Sequence, residues 1–173
     1  LYALKQEADY EIISYEGGQK DNAITREAIC EILVAREDVE AVKASAAKAE
    51  DGLREEYAST DGNITVQITE EGHAETDVLH PTSREKVLFY LVQIPFGIQK
   101  MSGNIEGLVE TSTNIGIVKL SDDEFFAVIF VLAVAEVGTE KVGRRLFVGG
   151  TRLIVRLLLA RKIRSALIAT LII

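Results

Sequence analysis

Few residues of this chain have both the type and the spacing that catalysis requires. His73 and His80 stand seven positions apart in a polar stretch, without the Cys or carboxylate pattern of a zinc site. Ser112 lacks the strand–turn–helix context of a nucleophile elbow, and Gly17-Gly18 lacks the setting of a dinucleotide-binding loop. The sequence therefore predicts no catalytic residue and no metal ligand within this chain.

Composition limits the class of protein and the kind of partner. The 173 residues are 47% hydrophobic and 27% charged, as in one globular domain, and the single cysteine, Cys30, excludes an intrachain disulfide. From Lys141 onward there are eight basic and no acidic residues, whereas the first 140 residues hold 11 basic and 27 acidic ones. Such asymmetry is typical of an interaction tail or a separate unit. The acidic body repels phosphates, so a nucleic-acid partner is not expected.

Hydrophobic periodicity and turn signals indicate the elements that would position functional side chains. Strands are predicted over 10–15, 22–34, 64–69, 108–120 and 125–135, helices over 1–8, 36–57 and from Thr82 or Ser83 to Val92, and a polar loop over 70–81. The order is β-β-α-β-α-β-β, followed by a C-terminal helix. The expected fold class is α+β, with a largely antiparallel sheet and helices packed on one face.

Three stretches carry a family signature. They are residues 17–28 (Gly-Gly-Gln-Lys-Asp-Asn-Ala-Ile-Thr-Arg-Glu-Ala), 94–102 (Ile-Pro-Phe-Gly-Ile-Gln-Lys-Met-Ser) and 107–116 (Gly-Leu-Val-Glu-Thr-Ser-Thr-Asn-Ile-Gly). Together, from about Leu1 to Glu124, they resemble the middle region of the aminoacyl-histidine dipeptidases, also called cytosol non-specific dipeptidases. The Val-Glu-Thr-Ser-x-Asn-x-Gly string is the most specific part of this resemblance.

The resemblance implies a two-domain cytoplasmic enzyme that hydrolyses dipeptides, including Xaa-His, with two zinc ions. A lid domain, inserted into the catalytic domain, would carry homodimer contacts and some substrate-binding groups. Residues 1–142 would correspond to most of that lid. The family's Gly-Gly-His-Ser-Gly motif, the zinc ligands and the general-base glutamate would lie outside this chain, which is expected to begin inside the parent protein and to be inactive alone.

The resemblance assigns a catalytic or binding role to few individual residues of this chain. Asn22 corresponds to a lid asparagine that hydrogen-bonds substrate, since its amide can donate and accept. The alternative is an asparagine that stabilises the turn after Gly18. The polar residues of the third stretch are interpreted as alternating strand positions with local hydrogen-bonding roles; they are Glu110, Thr111, Ser112 and Asn114.

The resemblance ends after Asp123. The family continues with an Arg-Ser-Ser strand whose arginine can grip a substrate carboxylate, and counting from Asn114 places that arginine at Leu132. Residues 143–173 form a basic, apolar tail without a sustained period, too charged for a transmembrane span. A frameshift near Glu124 would explain both features, because the codons for residues 132–135, read two bases later, permit Arg-Ser-Ser. Divergence or a gene fusion remain alternatives.

Two other functions stay open at this point. One is an autonomous α+β oligomerisation or binding module. The other is a membrane-surface protein that uses the basic tail as an amphipathic helix, although a membrane partner is the less favoured of the two. The residues do not specify the dipeptide preference, the oligomeric state or the reading frame of residues 125–173.

Overall fold

The computed structural model of the protein describes residues 1–121, 124–137, 145–158 and 161–172. Eight strands and two α-helices follow one another in the order β1 (Tyr10–Gly17), β2 (Ala28–Val34), α1 (Val39–Glu56), β3 (Gln67–Leu79), α2 (Pro81–Gln93), β4 (Gly97–Met101), β5 (Val109–Leu120), β6 (Glu124–Val137), β7 (Arg145–Leu158) and β8 (Arg161–Ile172). Short 3₁₀ helices cover Leu4–Gln6 and Arg36–Asp38. The α+β class with a largely antiparallel sheet is confirmed.

The described strands form one sheet in the order β3-β8-β2-β1-β5-β6-β7, with β4 paired to β5 beside this path. Every described strand pair is antiparallel. Neighbours along the chain pair in β1–β2, β4–β5, β5–β6 and β6–β7, whereas β8 crosses the sheet to lie between β2 and β3. The last described strand therefore ties together two strands from the first half of the chain.

One cluster of buried side chains joins both helices to the sheet. In α1, Val39, Val42 and Ala46 are buried at helical spacing, and in α2, Val87 and Leu88 are buried while the next residue faces solvent. The cluster consists of Leu4, Tyr10, Ile12, Cys30, Ile32, Val34, Val42, Leu79, Val87, Leu88, Val118, Leu120, Phe125, Ala127 and Ala169. Burying each large apolar side chain contributes about 1.5–3 kcal/mol, so this cluster dominates the stability of the fold.

Two sequence predictions about the second half of the fold are wrong. The C-terminal helix is absent from the described residues, where β7 and β8 occupy its place. An apolar run without helical period suits a strand paired on both edges, as β8 is. The amphipathic membrane-surface helix loses its basis for the same reason. The predicted division of the chain at residues 142 and 143 lies outside the described residues.

The loop predicted over residues 70–81 is also wrong, because β3 continues to Leu79. Its polar residues are exposed on a strand at the border of the sheet, where charged side chains are common and weaken the strand signal. The N-cap of helix α2 lies two positions before Thr82 and three before Ser83, the two residues expected to cap it. His80 is its N-cap and accepts a hydrogen bond from the Thr82 backbone N–H at 3.4 Å, and Pro81 occupies the first turn.

The remaining differences concern element ends. The helix expected over residues 1–8 is a 3₁₀ turn of three residues, and the second strand begins at Ala28 rather than residue 22. Residues 18–27 form a loop instead, which is central to the site described below. Strand β4 was not predicted. Among the described residues, no helix combines the length and the apolar content that a membrane span requires.

Candidate functional site

The three signature stretches meet at one strand, β5. The 94–102 stretch supplies β4, which pairs with β5 from Gly97 opposite Thr113 to Met101 opposite Val109. The 17–28 stretch leaves β1 where Gly17 pairs with Val118 of β5. Strands β1 and β4 lie on the same edge of β5, because β6 occupies the other edge. The loop of residues 18–27 lies against the part of β5 between them, residues 114–116; we call this contact the loop–strand junction.

Two glycines allow the loop–strand junction to close. Gly18 has φ of 74°, and a Cβ atom on it would lie 2.0 Å from the Gly116 carbonyl oxygen. A Cβ atom on Gly116 would lie 2.2 Å from the Asp21 carbonyl oxygen and 2.5 Å from that of Lys20. Gly116 also stands at the irregularity in the β5–β6 pairing, between Ile115 and Ile117. A β-bulge of this kind bends a strand and often adjoins a binding site.

Side-chain hydrogen bonds hold the loop in place across a long sequence separation. The Asn114 Nδ2 group donates to the Ala23 carbonyl oxygen at 2.5 Å. The Thr25 hydroxyl donates to the Ile115 carbonyl oxygen at 2.9 Å. Both β5 positions lie about 90 residues from their loop partners, so the contact belongs to tertiary structure and not to the local turn.

Asn22 lies at the exposed tip of this loop. Its side chain makes no hydrogen bond to the described part of the chain, and the turn around it is closed by the Ala23 backbone N–H donating to the Lys20 carbonyl at 3.3 Å. The backbone on its C-terminal side is the one that Asn114 holds. Asn22 therefore presents a free amide, with both donor and acceptor capacity, from an anchored backbone.

The β4 side of β5 is tied by polar contacts as well. The Thr113 hydroxyl donates to the Pro95 carbonyl oxygen at 2.8 Å and accepts from Gln99 Nε2 at 3.1 Å. Glu110 accepts from Lys100 Nζ at 2.6 Å. Glu110 thus bonds within the β4–β5 pair, whereas the Asn114 bond to Ala23 spans 91 positions and is not the local contact expected for this stretch.

Leu132, the position counted as the family's arginine, lies on β6 directly opposite Ser112 of β5. Asn114 faces Phe130, two positions away along the same pair of strands. The structure therefore brings Leu132 near the strand on which the three stretches converge. An apolar leucine side chain offers no donor to a substrate carboxylate, whereas a guanidinium at this place could donate two.

The remaining candidate residues do not join this site. His73 is exposed on β3 and His80 caps α2, and no cluster of three or more His, Cys, Asp or Glu suited to a metal occurs among the described residues. The described residues therefore do not fit the zinc ions that the family resemblance implies. Cys30 is buried in the core, and burial raises the pKa of its thiol to about 12, which makes it a poor nucleophile.

Sequence reasoning named Asn22 but missed the residues that hold its loop. Thr25 and Gly116 were part of the signature stretches, yet nothing in their local pattern pairs one with the other. The available signal was a glycine inside a strand, which often marks a bulge or a close backbone approach. Only the fold shows that the approaching backbone is that of residues 20 and 21.

Comparison with known proteins agrees with the signature stretches. The chain is 30% identical over 118 residues to the cytosol non-specific dipeptidase of Escherichia coli (strain K12), a match that covers 68% of this chain and 24% of that protein. The chain is homologous to a segment of the cytosol non-specific dipeptidases. No protein-family model matches it.

The fold of this dipeptidase homologue agrees with a solved structure. The crystal structure of aminoacylhistidine dipeptidase from Vibrio alginolyticus superposes with a TM-score of 0.64 at 18% identity, covering 96% of this chain and 26% of that one. The two share the α+β fold of this segment. The chain spans about a quarter of the length of each of these relatives.

Proposed function

We propose that residues 1–142 are the lid and dimerisation domain of a zinc-dependent, cytoplasmic dipeptidase, and that Asn22 contacts the dipeptide. The observation that supports this is the meeting of all three signature stretches on β5, where the loop–strand junction leaves the Asn22 amide exposed. A lid closes over substrate and supplies hydrogen bonds that orient it, and a side chain on an anchored loop loses little freedom on binding.

In this proposal the zinc ions belong to a catalytic domain outside this chain, since the described residues provide no site for them. The catalytic domain of the same polypeptide and a second copy of the lid are the proposed partners. The purified chain is expected to hydrolyse no dipeptide, Xaa-His included, when zinc is added. Hydrolysis above the buffer rate, removed by a chelator, would contradict this assignment.

A segment exchange tests the role of the lid directly. The region of the Escherichia coli enzyme that corresponds to the proposed lid is replaced by residues 1–142 of this chain. With Leu132 included in the exchange, activity is expected to be low because the substrate carboxylate has no guanidinium partner. Leu132→Arg is expected to raise kcat/KM by about 10- to 100-fold, the value of a hydrogen bond to a charged group.

On the Leu132→Arg background, Asn22→Ala is expected to lower kcat/KM by about tenfold or more. Asn63→Ala is the matched control, because Asn63 is also an exposed asparagine in a turn but lies outside the three stretches. If the two alanine variants have equal kcat/KM, Asn22 has no part in substrate binding and the turn-stabilising interpretation replaces it.

A second function, an autonomous oligomerisation module, is favoured by one further observation. Large apolar side chains are exposed on the C-terminal half of α2, along β4 and between the two; they are Phe89, Val92, Phe96, Ile98 and Met101, each at least 46% exposed. Exposed apolar clusters often mark protein–protein contacts. Sedimentation of the purified chain tests the module: a stable, folded dimer is what it requires, and a folded monomer would contradict it.

A further inference from the structure

We infer that Asn114 is a positioning residue that fixes the substrate-facing loop through the Ala23 carbonyl. This inference rests on the proposed function, because the loop is substrate-facing only if Asn22 contacts the dipeptide. It extends that function from the tip of the loop to the strand that holds it. Asn114 itself touches no substrate and acts through the backbone next to Asn22.

The chemistry of the contact selects an amide. Ala23 presents a carbonyl oxygen, which can only accept, so the group facing it must donate, and Asn114 Nδ2 does so at 2.5 Å. A carboxylate of the same shape would oppose two oxygens, and an aliphatic side chain would leave the carbonyl without this partner. Asparagine is thus the side chain of this size that can donate a hydrogen bond to the Ala23 carbonyl oxygen.

The orientation of the Asn114 amide is kept at a cost. Its Oδ1 atom is enclosed and has no hydrogen-bond partner in the described ranges of the chain. A buried acceptor without a partner is unfavourable, and such groups are uncommon in folded proteins. Rotating the amide by 180° would place this oxygen against the Ala23 carbonyl oxygen, so the observed orientation is the one that gives the loop a donor.

The surrounding contacts leave the loop one well-defined position. Gly116 and the Asp21 carbonyl approach too closely for any side chain between them, and Thr25 binds the adjacent carbonyl of Ile115 at 2.9 Å. Asn114 is therefore a side-chain anchor of the loop, as Thr25 is, and it is the one bonded to the residue that follows Asn22. Losing it would free the tip of the loop while Thr25 still holds its other end.

Hydrogen exchange of the full 173-residue chain, followed by NMR, tests the inference. Asn114→Asp keeps the shape of the side chain but removes the donor at neutral pH. The Ala23 backbone amide, which donates to the Lys20 carbonyl, is expected to exchange about tenfold faster than in the wild type, the effect of losing roughly one hydrogen bond. Thr113→Val is the matched control, because its hydroxyl binds the β4 side and not the loop.

A pH series distinguishes positioning from general loss of structure. Below the pKa of the introduced carboxyl, the protonated group in Asn114→Asp can donate to Ala23, so loop exchange is expected to return toward the wild-type rate measured at the same pH. Faster exchange without rescue by acid, or equal exchange in Asn114→Asp and Thr113→Val, would overturn the inference.

The activity of the segment-exchange enzyme separates this inference from the proposed function. On its Leu132→Arg background, Asn114→Asp is expected to lower kcat/KM for alanyl-histidine, and to lower it little further when Asn22→Ala is already present. If the hydrogen-exchange results hold but Asn22→Ala leaves kcat/KM unchanged, Asn114 still holds the loop and the substrate role of Asn22 fails. If Asn22→Ala lowers kcat/KM and Asn114→Asp does not, the positioning role of Asn114 fails and the proposed function stands.

Discussion

Replacing Gly116 by alanine would place a methyl group where the loop of residues 18–27 meets β5. The added carbon would lie 2.2 Å from the Asp21 carbonyl oxygen and 2.5 Å from that of Lys20, far inside contact distance, and both neighbours are backbone atoms. Neither can rotate away as a flexible side chain would. The loop must therefore move as a unit away from the strand.

Two estimates of the stability lost in Gly116→Ala agree. If the loop separates from β5, the hydrogen bonds from Asn114 and Thr25 are lost, at about 1 kcal/mol each. If the structure instead absorbs the methyl group, overpacking costs about 1–3 kcal/mol. Either route lowers the free energy of unfolding by about 2 kcal/mol. With a urea dependence of about 1–3 kcal/mol per molar, the unfolding midpoint falls by roughly 1 M.

Urea unfolding followed by circular dichroism measures this shift, and Gly52→Ala is the matched control. Gly52 lies within α1 with no atom within 4 Å of an added Cβ, so alanine there is expected to raise stability by about 0.5–1 kcal/mol. The two substitutions should thus have opposite signs. Equal midpoints for Gly116→Ala and Gly52→Ala would refute the close approach of loop and strand.

Three further expectations test the core and the tail. Leu88→Ala should destabilise the protein by about 2–5 kcal/mol, while its neighbour Phe89→Ala, at 61% exposure, should change stability by less than about 0.5 kcal/mol in the same urea assay. Burial raises the pKa of Cys30 from 9.0 to about 12 and also raises that of Tyr10, so the folded state keeps these protons more tightly than the unfolded state. The contribution of these two groups to the free energy of unfolding should therefore be constant below pH 9, and the free energy should fall as pH rises toward 12, less steeply in Cys30→Ala; a flat profile between pH 9 and 12 in the parent would contradict the burial. Deleting residues 161–173 should remove the partner of both β2 and β3 and leave a chain that aggregates on gel filtration; a monomer with an unchanged circular dichroism spectrum would show that β8 is dispensable.

Local patterns in the sequence determined much of the architecture. The alternation over β1, β5 and β6, the helical spacing of Val39, Val42 and Ala46, and the proline that follows α2 each depend on a few neighbouring residues. Turn chemistry and side-chain periodicity act over such short distances, so these elements could be predicted. The signature stretches also carried the family resemblance and singled out Asn22.

Tertiary structure alone decided how the strands are ordered and where the signature stretches meet. Residues 161–172 have no clear period, and they form a strand because β2 and β3 supply hydrogen-bonding partners on both sides. Likewise the polar residues of β3 form a strand because that strand has β8 beside it. Such partners lie between 82 positions away (Leu79 and Arg161) and 143 positions away (Ile29 and Ile172) along the chain, beyond the reach of any local pattern.

At the loop–strand junction, too, the sequence and the tertiary structure determine different things. The sequence contains Ala23 and Asn114 in separate stretches, 91 positions apart, and nothing near either residue indicates the other. The antiparallel pairing of β1 with β5 brings them together, and the absence of a side chain at Gly18 and Gly116 lets the two backbones touch. Residue types thus determined which groups could bond, and the packing of the sheet decided which of them do.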